Sequence, residues 1–143
     1  MAYTATANQP GRGVRDASLS NSKAFPAAAA NNSSTGINTG AVRSGPNGIF
    51  PEESAILIEW PALANLVDAK TITFTVQDSA DNSSFTSIGL TYVITGGGGV
   101  GVAAGFKKFR LPADVRQYVN VNAAVLTAGG DNTASSYTVS IVT

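Results

Sequence analysis

The run Gly96-Gly97-Gly98-Gly99-Val100-Gly101 satisfies the G-x-G-x-x-G spacing of a dinucleotide-binding turn. In that chemistry the glycines let the backbone close on a pyrophosphate, and a helix beginning there aims its free amides at the ligand. No helical pattern follows Gly101, and the Lys and Ser or Thr of a P-loop are missing after it. The run reads as a flexible loop between strands. Asp78, Ser79 and Asp81 offer oxygen atoms to a calcium ion, but an EF-hand loop needs more acidic positions and a distal bidentate glutamate. A turn in which Asp and Asn cap the backbone fits better, with a weak calcium site left open. Glu52 and Glu53 are a carboxylate pair in sequence only, because neighbours on a strand point to opposite faces.

Lys107, Lys108 and Arg110 form a basic patch beside Phe106 and Phe109, suited to an acidic protein, a polyanion or a membrane surface. Alternation puts Lys107 and Lys108 on opposite faces, so one of them serves as an edge or solvent lysine that discourages sheet-to-sheet aggregation. Trp60, ahead of Pro61, suits a sugar-stacking platform or the core, and a lone Trp on an apolar strand favours the core. Asn31, Asn32 and Asn82 lie in N-x-S sequons. The first ten residues have neither the basic start nor the apolar run of a secretory leader, so the sequons are expected to carry no glycan.

Composition narrows the chemistry. The 143 residues include no cysteine and no histidine, which excludes disulfide scaffolds, thiol nucleophiles, zinc ribbons and the usual general base. The acidic residues fall mostly in turns, so a glycosidase pair facing across a cleft is not expected. We expect no enzyme and no cofactor. Residues 88–106 are uncharged, yet their glycines would each cost a helix about 1 kcal/mol, so a membrane span is not expected.

The elements that position these residues are strands. Residues 54–60 are apolar through Ala55-Ile56-Leu57-Ile58, then meet Glu59, and Pro61 ends the ladder. In residues 70–77 Ile72, Phe74 and Val76 alternate with Thr71, Thr73 and Thr75, as a half-buried antiparallel strand requires. Strands are also expected at 85–95, 105–111, 116–126 and 136–142, with Tyr137, Val139 and Ile141 facing inward. Residues 27–30 and 63–68 suggest single helical turns. The recurrence of strands every dozen or so residues, without a convincing amphipathic helix, predicts an all-β, jelly-roll-like antiparallel β-sandwich over residues 51–143.

Residues 1–50 hold few large apolar side chains and are expected to form an extended, irregular N-terminal arm. They carry four basic residues, Arg12, Arg15, Lys23 and Arg43, against Asp16, a balance of +3, while residues 51–143 balance at −3. Such sparse cations, without interleaved aromatics, argue against nucleic acid and for an acidic protein surface, or simply for keeping the arm solvated.

Thr71-Ile-Thr-Phe-Thr-Val-Gln-Asp-Ser-Ala-Asp-Asn-Ser-Ser-Phe85, and Phe109-Arg-Leu-Pro-Ala-Asp-Val-Arg-Gln-Tyr-Val-Asn-Val-Asn122, resemble the capsid cement, or decoration, proteins of tailed bacteriophages, in particular the podophage cement family. The resemblance covers about residues 55–143 and extends through Gly129-Gly130-Asp131-Asn132. It implies a jelly roll sitting as a homo-dimer or homo-trimer on the outer capsid surface of the virion, bridging neighbouring major capsid proteins. It implies no catalytic residue. Asp78, Ser79, Asp81 and Phe85 would then serve the turn, Pro112 the strand entry, and Arg116 and Tyr118 the sheet or a subunit contact. On this reading Arg12, Arg15, Lys23 and Arg43 are the expected arm contacts with the capsid. The alternatives are a carbohydrate-binding sandwich stacking sugar on Trp60, Tyr92 or Tyr118, and a phage tail or neck component.

Overall fold

A computed structural model describes residues 3–4, 15–39 and 54–142 of the chain. The strands are β1 (Tyr3–Thr4), β2 (Arg15–Ala24), β3 (Asn31–Ser33), β4 (Ile37–Asn38), β5 (Ala55–Trp60), β6 (Thr71–Ser79), β7 (Thr86–Thr95), β8 (Gly105–Arg110), β9 (Tyr118–Val125) and β10 (Ser136–Val142). They form two antiparallel sheets. The first runs β1-β2-β10-β5-β8, and the second β3-β9-β6-β7, with β4 also on β9. From β2 onward the chain crosses between the sheets in the order of a jelly roll, with β3–β4 and the β6–β7 hairpin each staying within the second sheet, as the strand pattern predicts.

Period-two alternation builds the core. Ile72, Phe74 and Val76 point from β6 into the space between the sheets, where Ile56, Ile58 and Trp60 arrive from β5. Rings run through the centre: Phe25 lies 5.2 Å from Tyr137 and 6.1 Å from Phe74, and Trp60 stacks on Phe74 at 5.6 Å and on Tyr92 at 5.7 Å. The buried Tyr137 hydroxyl donates toward Asn32 Oδ1 (3.1 Å) and the Val121 carbonyl (3.2 Å), so one side chain of the first sheet is tied to two strands of the second. Burial pushes this phenol well above its ordinary pKa, because an anion there would lose its hydration.

The N-terminal boundary differs from the expectation. Residues 15–39 belong to the sandwich: β2 pairs with β10, β3 and β4 pair with β9, and Phe25 and Ile37 are core residues. An arm over residues 1–50 therefore does not describe this segment, and the sandwich does not begin at 51. The reason is that strand pairing satisfies backbone donors and acceptors whatever the side chains are. Β2 presents Ser20 and Ser22, which hydrogen-bond across the ladder to Ser140 and Thr138 at 2.9 Å each, so it needs no apolar stripe. The two expected helical turns are hydrogen-bonded turns without a helix. Ala29 takes a left-handed φ of 63°, which stops the 27–30 turn after one bond, and residues 63–68 are bent by bridges of Leu63 to Val102 and Asp68 to Gly96.

Candidate interaction surfaces

At one corner of the sandwich, β6 ends in Asp78-Ser79 and the β8–β9 connection delivers Arg116. Asp78 is 5% exposed, and each of its polar atoms on this side is engaged. Its Oδ2 accepts from the Arg116 backbone N–H at 2.9 Å, its Oδ1 from Nε at 2.8 Å and its carbonyl from Nη2 at 2.7 Å, and Nη2 also stands 2.6 Å from Oδ1 as an ion pair. The hydrogen bond to Asp78 holds the Arg116 guanidinium above its already high pKa. Beyond it, Asp81 Oδ1 accepts from the Ser84 and Ser83 amides, both at 2.9 Å, and from Ser79 Oγ at 2.7 Å. Those bonds, the Ser84 amide first, hold the Asp81 carboxyl down to about 2. Phe85 packs its ring beside Gly36, where a Cβ would come within 2.9 Å of Phe85 Cζ. Tyr118 opens β9 opposite Ser79, and the Pro112 carbonyl accepts from Val115 N–H at 3.1 Å. The residues quoted from β6 to Phe85 and from Pro112 to Tyr118 are thus brought to one corner, where their geometry fixes a turn and a strand entry.

The glycine run has an anion of its own. Asp68, 31 residues earlier, presents both carboxylate oxygens to the Gly99 amide at 3.0 and 3.1 Å. Gly101 has φ of 75°, and a Cβ there would collide with the Leu63 carbonyl oxygen. These glycines serve a tight loop leaning on the 63–68 turn. Residues 88–106 run through β7, this loop and the start of β8, and among the described residues no helix is long and apolar enough to cross a membrane.

The basic patch is divided as alternation requires. Lys107 lies at the open edge between β8 and β7, with its Nζ 5.2 Å from the Tyr92 ring centre and 5.3 Å from that of Phe109. Its charge rests on π faces while its stem covers the core edge. Lys108 and Arg110 alternate to the outer side with Phe106. Trp60 is only 7% exposed, stacked on two rings, with its Nε1 donating to the Ala103 carbonyl at 3.1 Å, so it is a core residue.

Of the expected capsid-contact cations, Lys23 is exposed on β2 opposite Tyr137, Arg15 begins β2, and Arg12 and Arg43 lie outside the described residues, as do Glu52 and Glu53. Asn32, noted only as a sequon, donates through Nδ2 to the Ala24 carbonyl at 2.7 Å and receives the Tyr137 hydroxyl. The partnerships of Asp68, Asn32 and Arg116 span 31 to 105 residues and have no local signal.

The outward sides of the two sheets differ. On the first sheet, Ala55, Leu57 and Val142 form a small buried apolar cluster separate from the main core, flanked by Lys108 and Arg110 on β8. On the second, Thr71, Thr73, Thr75 and Gln77 of β6 stay half-buried between Asn122 and Ala124 of β9 and the exposed Thr91, Val93 and Thr95 of β7. No known family model matches the chain, and no curated protein matches it.

Proposed function

We propose that this protein is a structural component of a bacteriophage shell, a cement unit that binds the outside of the assembled capsid and bridges neighbouring major capsid proteins. The observation that carries this reading is the jelly-roll strand order, an architecture shared by viral capsid and lectin domains. The likeness of residues 71–85 and 109–122 to cement proteins supports the capsid member of that pair. The lectin member is disfavoured because Trp60 and Tyr92 stack with each other against the core.

The mechanism is linkage. A unit that binds assembled capsomers and not free subunits adds its binding free energy to the shell. A homo-dimer or homo-trimer touching several subunits turns each later contact into an intramolecular one, so weak contacts suffice. Arg12, Arg15, Lys23 and Arg43 supply the cationic side of the contact with an acidic capsid surface.

The test is co-sedimentation of the purified protein with shells that lack it and with unassembled capsid protein. Selective capture by shells is expected, and occupancy should fall with salt when contacts are ionic. Replacing the four cations with glutamine should lower occupancy and flatten its salt dependence. Equal capture by free subunits, or none by shells, overturns the reading, and immunogold labelling of the tail would move it to a tail or neck part.

A further inference from the structure

We infer that the outer face of the second sheet is the surface on which two copies of this chain pair, around a two-fold axis lying along β6. The inference rests on the shell reading for its biological setting and names the face that makes the proposed homo-oligomer. Charge is the first argument. The outward positions of this face, Thr71, Thr73 and Thr75 on β6 with Thr91, Val93 and Thr95 on β7, carry hydroxyls and methyls only, and Asn122 and Ala124 on β9 are uncharged as well. A two-fold contact brings like residues together, so a neutral face meets itself without like-charge repulsion, whereas Lys108 and Arg110 of the first sheet would meet their own kind.

Shape is the second argument. Val93, Thr73, Ala124 and Asn31 form one row across β7, β6, β9 and β3. One end of the row is a knob, because Val93 is an exposed aliphatic side chain at 49%. The other end is a hollow of about 250 Å³ lined by Thr73, Ala124, Asn31 and Leu126 among others. Rotation about β6 keeps each level of the row and exchanges its two sides. Val93 of one copy then meets the Ala124 hollow of the other, twice by symmetry, and Thr73 lies on the axis. The exposed Leu126 at the rim adds apolar surface.

Area sets the strength. The rotation lays β7, β6 and β9 of one copy on β9, β6 and β7 of the other, and three strands spaced by about 4.8 Å and roughly 25 Å long present on the order of 350 Å², less than half of the roughly 800 Å² per partner of a stable complex. Free protein should therefore pair weakly, with the pair populated where a shell concentrates it.

The chain has no native cysteine, so single thiols report the geometry cleanly. Thr73→Cys should be joined into dimers by a short bis-maleimide, in a yield that rises with protein concentration, while Ser22→Cys on the first sheet should not. Adding Val93→Arg to Thr73→Cys should cut the yield about tenfold or more, since two cations would approach each other's hollow. Thermal melting of the Val93→Arg protein, unchanged at this exposed site, separates loss of pairing from loss of fold. Thr73→Cys yields no higher than those of Ser22→Cys, an unaffected yield with Val93→Arg, or trimers in sedimentation equilibrium would each overturn the proposal. No capsid enters these assays, so pairing can fail while shell binding stands, and shell binding can fail while pairing stands.

Discussion

Leu57 of β5 and Thr73 of β6 occupy equivalent places, each on an inner strand and each pointing away from the core between the sheets. Leu57 is fully buried, in a cluster with Ala55 and Val142, and Thr73 is half-buried among neutral polar neighbours. The same alternation thus yields a face that contributes to folding and a face left for contact. Side-chain period tells which residues share a face, and burial tells what that face does.

Five substitutions probe this contrast and the elements around it. The largest effect is expected where the sheets meet: Phe74→Ala removes a ring that packs against Phe25, Trp60 and Tyr137, and should destabilise by about 3–5 kcal/mol in denaturant unfolding. Next comes the contrast itself. Leu57→Ala should lower stability by about 2–5 kcal/mol, while Thr73→Ala should stay within about 0.5 kcal/mol of the parent. Equal losses at the two positions would mean that both outer faces serve the fold.

A small effect, visible only in acid, is expected at the corner turn. The Asp81 carboxyl is held at about 2 in the folded chain against an ordinary 3.8, so its contribution is complete above the higher value and is lost as pH falls toward the lower one. Thermal melts taken below pH 4 should decline less steeply for Asp81→Asn than for the parent. Tyr137 works in the opposite direction: burial raises its pKa, so its neutral form supports the fold at lower pH and that support is lost as pH rises past 10, a loss that Tyr137→Phe should remove.

How far the fold was legible varies along the chain. Β5, β6, β9 and β10 were readable because both periodicity and burial are strong there, and Pro61 marks the end of β5. Β2 was not. Its sequence Arg-Asp-Ala-Ser-Leu-Ser-Asn-Ser-Lys-Ala has no apolar period, and it is held by ladder bonds and hydroxyl pairs to β10. The corner was half legible: Asp78, Ser79 and Asp81 announced a turn, but nothing in 78–81 points to Arg116.

The sequence by itself determined the all-β class, the alternation on the strong strands and the turn chemistry, because each depends on neighbours a few residues apart. Only the tertiary structure decided that β2 to β4 join the sandwich, that Asp68 accepts from the Gly99 amide, that Asp78 pairs with Arg116 and that Leu57 is covered while Thr73 is half-buried. Those outcomes depend on which distant backbone edges and side chains meet, and a one-dimensional pattern holds no term for contacts between residues tens of positions apart.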